Sequence, residues 1–402
     1  MSDSRVPAAA PGALVSPVLR ERLVALRRDL HQHPELSFAE RRTSEVLARE
    51  LGLLAPARID VVAGTGLIAR IAGRNANTPL VAIRGDIDAL PIQEATGLPF
   101  ASANNGVMHA CGHDVHAAWT VGAAALLAEC PAEGDVLVLL QPAEEIGAGA
   151  AAVLESRMLD DVKAIFGAHV DRRFTVGQVV AQAGPLAASA DTFEIVLSGK
   201  GAHGARPHES ADPIVGMAAI ISALQTIVSR RVNPATPAVV TVGMASAGTA
   251  PNVIPDRAML QGTLRATDHE TRALLQQELQ DIAHHVASAH RLAARVTFSA
   301  GVPPVINDAK AAGWAADAAR HILGQDSVVP LGITNMAGED FAWYQRHIPG
   351  CFLRVGARRD GEEVIPAHSP RFDVAEEAIF VGAAVLAEAA RRASASLAGI
   401  RA

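Results

Sequence analysis

Metal-binding and proton-carrying residue types crowd one short stretch of this chain. The segment MHACGHDVH, residues 108–116, supplies His109, Cys111, His113, Asp114 and His116. A Cys-x-His pair just ahead of a helix places a thiolate and an imidazole toward one point, as a metal site requires. Three further donor sets follow apolar runs. VLVLLQPAEE leaves Glu144 and Glu145 side by side once Pro142 halts a strand; GAHV carries His169 at the end of another; PAHSPRFD puts His368 in a loop far downstream. Singly each is weak, since adjacent carboxylates usually mark a solvated loop and a lone histidine is more often a core or surface residue than a ligand. Together they gain weight, because the strand C-termini of an open α/β sheet converge on one crevice.

Cys111, His113, Glu145, His169 and His368 give five donors, more than one tetrahedral ion takes. Two divalent ions sharing a bridging ligand account for the surplus. Thiolate and imidazole suit zinc, nickel or cobalt, and the carboxylates also admit manganese. Such a pair lowers the pKa of a shared water and polarises a carbonyl oxygen. The chemistry still needs a proton carrier that is not itself a ligand. With Glu145 on the metal, Glu144 is the natural general base, and afterwards the acid for a leaving amine.

Hydrophobic periodicity marks the elements that must position these groups. Residues 18–53 read as a helix interrupted around HPELSFAE, followed by strands GLIARI (66–71) and LVAIRGD (80–86), an Ala-rich helix over 115–128, and strands VLVLLQ (136–141) and AIFGAHV (164–170). Near-continuous apolar strands alternating with helices predict an α/β layer with a mixed, largely parallel sheet flanked by helices. The pattern then changes to strand 191–198, helix 212–230, strands 237–246 and 256–266, helix 268–290 and strand 294–300. That β-α-β-β-α-β order is the split arrangement of a ferredoxin-like α+β domain. The expected organisation is a catalytic domain over 1–186, an inserted domain over 187–299, and the remainder of the catalytic domain over 300–402.

Composition limits the alternatives. Half of the 402 residues are hydrophobic and only 3% aromatic, so the core must be built from Ala, Leu, Val and Ile. A net charge of −7 offers no general attraction to nucleic acid or anionic membranes. No stretch reaches the roughly 20 continuous apolar residues of a membrane span. The N-terminus, broken by Pro7, Pro11 and Pro17, lacks the organisation of a signal peptide, which points to a cytoplasmic protein. Three cysteines are too few for a disulfide framework, and Cys130 and Cys351 read as core residues.

The assembled residues resemble the M20 metallopeptidase and amidohydrolase family, in the branch of hippurate hydrolases, N-acyl-amino-acid amidohydrolases and plant indole-acetyl-amino-acid hydrolases. The segments RRDLHQHPELSFAE, RGDIDALPI, MHACGHD, QPAEE, GAHV, GKGAHGARPH, NVIPDRAMLQGTLR, AGEDFAWY and AHSPRFD carry the resemblance, which runs from about residue 20 to about residue 390. It implies a zinc-peptidase-like catalytic domain and an inserted lid or dimerisation domain, with Cys111, His113, Glu145, His169 and His368 as ligands and Glu144 as the base. It further implies Asp88 as a support behind the ligands, and His203 as an oxyanion stabiliser contributed by a partner subunit. Asn252 and Arg265 would hold the substrate, Arg265 pairing its free carboxylate. A homodimer or dimer-based homotetramer acting on a small N-acyl amino acid is the implied assembly and partner. This sequence departs in three places: IGAGAAA follows the glutamate pair, Gly85 stands where alanine is commoner, and DRRFTVG follows GAHV. None removes a ligand.

Two rival readings are a dipeptidase or aminopeptidase on the same scaffold and a non-catalytic metal-binding protein; the second has no need of Glu144. GKGAHG fits a dinucleotide fingerprint formally, but no helix opens on it, so it reads as a loop presenting His203. Arg84-Gly85-Asp86 lies at the end of a buried-type strand, and His284, His285 and His290 read as structural or solvated.

Overall fold

Runs of Val, Leu, Ile and Ala too apolar to leave one face in water form the middle of a sheet. A computed structural model describes residues 11–299 and 301–400; the N-terminal stretch through residue 10, and Ala300 at the end of the strand expected over 294–300, lie outside the described residues. Two compact units divide the chain. One runs to Gly184 and resumes over Ile306–Gly332 and from Trp343 onward; the other comprises Pro185–Val305 and Ile333–Ala342.

In the first unit, seven strands lie in the order Arg58–Val62, Gly66–Ile71, Val136–Gln141, Leu80–Asp86, Val162–Thr175, Gly350–Arg358, Val179–Val180. The four central strands from Val136–Gln141 to Gly350–Arg358 are mutually parallel, and the outer ones antiparallel. Every residue of Val136–Gln141 is buried. This is the mixed α/β sheet the periodicity predicts. The region expected as one interrupted helix is two, Pro17–Gln32 and Arg41–Gly52, with HPELSFA between them.

A core poor in aromatics packs by close backbone approach. Helix Glu377–Leu397 lies on helix His113–Glu129 at Gly382, where an added Cβ would meet the buried Trp119 ring at 2.3 Å. At Gly122 a Cβ would press on Ala383 and Leu23, each at 2.8 Å. Helix starts are fixed by side-chain caps: Ser16 accepts from the Leu19 N–H and Asp308 from those of Lys310 and Ala311, each worth about 1 kcal/mol.

The second unit has a four-stranded antiparallel sheet, ordered Ala238–Ala247, Arg257–Ala266, Asp191–Ser198, Ala293–Phe298. Helices Pro213–Arg230 and His269–Ala289 bury Ile220, Leu224, Leu275 and Leu279 against Phe193, Ile195, Leu260 and Leu264. Chain order and strand order together are the ferredoxin-like arrangement.

Helix Pro213–Arg230, 18 residues, is long and apolar enough to cross a membrane by length and composition only, yet it is interrupted by polar residues and amphipathic against its own sheet. Two sequence readings change. Cys130 is exposed, because it caps the end of helix His113–Glu129 where the chain leaves the core; Cys351 is buried as expected. GKGAHG is not simply a loop, since Ala202–His203 pairs antiparallel with Val253–Ile254.

Candidate metal centre

The donor-rich segments meet at the C-terminal ends of the parallel strands. Strand Leu80–Asp86 delivers Asp86 and, just beyond its end, Asp88; strand Val136–Gln141 leads into Glu144 and Glu145. His169 lies within strand Val162–Thr175, which continues past the residue 170 expected from the sequence. Cys111 and His113 flank Gly112, the residue preceding helix His113–Glu129. Gly112 has φ 93°, and a Cβ on it would sit 2.6 Å from Val170 Cγ2, so both its conformation and its tight contact require glycine. His368 occupies a loop with φ 66° and is tied to this segment by its own N–H, which donates to the Ala110 carbonyl at 2.8 Å.

Ligand atoms of Cys111, His113 and His169 lie within 4.8 Å of one another, and so do those of Cys111, Glu145 and His368. Cys111 is common to both groups. Its Sγ is 3.3 Å from His169 Nε2, and His368 Nε2 is 3.3 Å from Glu145 Oε2. His113 Nε2 is 3.9 Å from Glu144 Oε2 and 3.8 Å from Glu145 Oε1. Of the five donors only His368 is exposed.

The chemistry of this cluster fits a cation. His113 Nε2 and Glu145 Oε1 are buried and have no hydrogen-bond partner among the described residues, an arrangement that costs stability unless something else satisfies them. Two of the three histidines are oriented through their other nitrogen. His113 Nδ1 donates to the Asp88 carbonyl at 2.9 Å and His169 Nδ1 to the Val170 carbonyl at 2.7 Å, leaving both Nε2 lone pairs toward the cluster. Burial, and then the charge of Glu145, push the Cys111 thiol well above its ordinary range. Burial opposes charge on His113 too, yet Asp86 and Asp88 hold its pKa well above the usual value. Burial and the neighbouring His116 and Arg354 charges hold His169 well below it. A divalent ion reverses this imbalance by favouring thiolate and neutral imidazole.

Asp88 ties these pieces together. Its Oδ1 accepts from His113 Nδ1 at 3.2 Å and the Glu144 N–H at 3.0 Å; its Oδ2 accepts from the Glu145 N–H at 3.0 Å and Ser37 Oγ at 2.7 Å. Burial would raise its pKa, but the hydrogen bond and charge of His113, with Ser37, keep it below the ordinary value.

From the sequence His109 and His116 read as supporting or structural residues, whereas Ser37 and Asp86 carry no assigned role. Asp86 Oδ1 accepts from His116 Nδ1 at 2.6 Å, and His116 Nε2 accepts the Val170 N–H at 3.0 Å. Arg84 NH1 donates to Asp86 Oδ2 at 2.5 Å, entirely inside the protein. A charged R-x-D closing an apolar strand was the available signal. Asp114 faces away from the donors, pairing with Arg27 at 2.7 Å and His31 at 2.9 Å. His109 is buried without a hydrogen-bond partner for either ring nitrogen among the described residues, and burial depresses its pKa to about 4.

His203, Asn252 and Arg265 belong to the second unit. His203 is exposed and its Nδ1 accepts the Ala205 N–H at 3.0 Å, while the Asn252 carbonyl accepts the Gly204 N–H at 2.8 Å. Arg265, half-buried, lies opposite Val239 near the end of its strand.

A parallel sheet whose strand ends gather a thiol, imidazoles and carboxylates defines a metallohydrolase-type centre, and comparison with known proteins gives the family. Residues 82–392 match the profile of peptidase family M20/M25/M40. The chain is 43% identical over 380 residues to the N-acetyl-L-cysteine deacetylase of Bacillus subtilis (strain 168), covering 93% of this chain and 88% of that protein. It is 37% identical to IAA-amino acid hydrolase ILR1-like 2 of Arabidopsis thaliana, covering 93% and 86%. Among solved structures it is similar to the Bacillus subtilis YXEP protein, described as a dinuclear metal binding peptidase of the M20 family. That match has TM-score 0.83 at 40% identity and covers 94% of this chain and 98% of that one. The chain belongs to the M20/M25/M40 peptidase family and is a metal-dependent hydrolase, as the sequence resemblance implied.

Proposed function

We propose that the chain hydrolyses the amide bond of N-acyl amino acids, releasing a carboxylic acid and an amino acid. The observation that carries this reading is the pairing of Glu144 and Glu145 at nearly equal distances from His113 Nε2. One carboxylate completes a donor set and its neighbour is left for proton transfer. The similarity to a deacetylase and to amino-acid-conjugate hydrolases over most of the chain supports the substrate class.

In this reading Cys111, His113, Glu145, His169 and His368 would hold two divalent ions, drawn from zinc, manganese, nickel and cobalt. Bound there, the ions supply Lewis acidity toward the scissile carbonyl and an acidified water. Glu144 takes the proton of the attacking water and returns it to the departing amine nitrogen. Asp88 fixes His113 and the glutamate turn. His203 of a partner subunit donates to the oxyanion, and Asn252 and Arg265 hold the amino-acid half, with Arg265 on its carboxylate. A homodimer, or a tetramer built from it, is supported by the outer edge of the second unit. There Ile214 and Val215 on helix Pro213–Arg230 and Met244 on the edge strand Ala238–Ala247 are exposed. We place the enzyme in the cytoplasm.

Glu144→Gln should retain metal and abolish turnover across a panel of N-acetyl and N-benzoyl amino acids. Undiminished turnover refutes the assignment of the base, and turnover confined to free-amine dipeptides refutes the substrate class. If His203 acts across subunits, mixed dimers of His203→Ala and Glu144→Gln chains recover activity that neither parent has.

A further inference from the structure

Glu40 stands immediately before helix Arg41–Gly52, where a short polar side chain ordinarily accepts the first free N–H groups, yet its carboxylate makes no bond to that helix. It is wholly buried instead. Its Oε1 accepts the N–H of Ala143 at 2.9 Å, and its Oε2 accepts from Thr65 Oγ1 at 2.6 Å. Ala143 is the residue between Pro142 and the glutamate pair, and its φ is 55°. That left-handed conformation is one that residues bearing a Cβ avoid. The turn is held from its other side as well: the Ala143 carbonyl accepts from the N–H groups of Ala148 at 3.3 Å and Gly149 at 3.0 Å. Gly149 has no room for a side chain, since a Cβ there would lie 1.7 Å from the Pro142 carbonyl oxygen.

The bend has a consequence for the two carboxylates. In an extended chain, consecutive side chains point to opposite faces. After a left-handed residue they need not, and here Glu144 and Glu145 both bring an oxygen within 4 Å of the same His113 nitrogen. We infer that Glu40 is a positioning residue for the reaction: it pins Ala143 in the left-handed conformation that turns Glu144 and Glu145 together toward His113. The inference deepens the reading of Glu144 as base and rests on it. A carboxylate spent on helix capping would serve the fold; this one serves the turn that carries the chemistry.

The test uses the full-length protein as wild type, Glu40→Ala, Glu40→Gln, Ala143→Gly and the double variant Glu40→Ala/Ala143→Gly. Each is assayed for kcat and KM on N-acetyl amino acids and, metal-free, titrated with Co2+ alone. Glu40→Ala should lower kcat about tenfold with KM little changed, as expected for one lost charge-assisted hydrogen bond, and should weaken Co2+ binding. In that background Ala143→Gly should restore about fivefold, because glycine adopts positive φ without the Cβ penalty. Should Glu40→Ala not fold, Glu40→Gln, which keeps an acceptor for the Ala143 N–H, should show a smaller loss that Ala143→Gly likewise repairs. Wild-type kcat in Glu40→Ala overturns the inference. So does a loss that Ala143→Gly leaves unrepaired, since a purely structural role for Glu40 predicts no such rescue. Failure of the underlying reading looks different: Glu144→Gln then keeps its turnover, whatever the Glu40 variants do.

Discussion

Replacing Asp88 by Asn changes one atom and removes one charge at the junction of the site. The Asp88 carboxylate accepts four hydrogen bonds, two at each oxygen: His113 Nδ1 and the Glu144 N–H at Oδ1, the Glu145 N–H and Ser37 Oγ at Oδ2. An amide accepts only at its oxygen. With that oxygen toward His113 and Glu144, the new NH2 faces Ser37, whose hydroxyl can turn to accept, and the Glu145 N–H, which cannot. The flipped amide sets donors against both His113 and Glu144, so the first orientation wins and the loss falls on the Glu145 N–H. A buried donor left without an acceptor costs about 2 kcal/mol. If that cost is borne by the turn holding Glu145, metal affinity falls about 30-fold, within the range of roughly 10–100-fold known for groups behind metal ligands. Calorimetric titration of metal-free protein with Zn2+ or Co2+ measures the drop, and kcat at saturating metal reports what remains once the site is filled. An affinity within twofold of wild type would show that Asp88 does not hold the turn.

His31 gives a pH test of the fold behind the site. Burial works to lower its pKa, but Asp114 and a hydrogen bond to Glu94 raise it from 6.5 to about 9. A raised folded pKa means its stabilisation, about 3 kcal/mol at most, is complete below pH 6.5 and lost as pH rises through 9. Urea unfolding should therefore show His31→Gln costing more at pH 6 than at pH 10, and equal costs would refute the pairing. Gly85→Ala would set a Cβ 2.3 Å from Thr120 Oγ1 and 2.7 Å from the His116 carbonyl oxygen. It should lose about 2 kcal/mol of stability and weaken metal binding as the start of helix His113–Glu129 is displaced; an unchanged melting temperature with unchanged affinity contradicts this. Iodoacetamide should label Cys130 and spare Cys351 in the native protein, since one is exposed and the other is buried with its thiol pKa raised by burial. Equal labelling counts against the packing described.

What the sequence discloses follows the range over which each signal acts. The strands over 66–71, 80–86 and 136–141 are short, apolar and bounded, so periodicity alone places them at Gly66–Ile71, Leu80–Asp86 and Val136–Gln141. Gly350–Arg358 is equally buried but has no clear bounds in the sequence, because Gly350, Arg354 and Gly356 break the apolar run and only neighbouring strands make it a core element. The association of Ile333–Ala342 with the second unit has no local signature at all. At the site, the residue types named the donors and the family resemblance named Asp88 behind them, whereas other groups that aim them did not declare themselves. Ser37 is an ordinary serine until Asp88 accepts its hydroxyl proton, and the bend at Ala143 lies in a backbone angle that alanine gives no reason to expect. Gly85 is the converse case. Its departure from the commoner alanine is explained by the space that Thr120 Oγ1 and the His116 carbonyl occupy.

Asp86 and Asp88 show why so few residues suffice to assemble a centre from distant segments. They are two positions apart where strand Leu80–Asp86 ends, a spacing that in extended chain puts both side chains on one face. Asp86 holds His116, His116 accepts the Val170 N–H, and the Val170 carbonyl fixes the His169 ring. Asp88 holds His113 directly and the glutamate pair through two backbone N–H groups. Three of the four donor-bearing segments are thus referred to one strand end, and the pairing of that strand with Val136–Gln141 and Val162–Thr175 fixes its place. His368 is the exception, bound to the cluster's segment by its own backbone and held at positive φ. It is also the exposed donor. Motion at the centre should therefore be concentrated at His368, while the donors anchored through Asp86 and Asp88 move only if the sheet does.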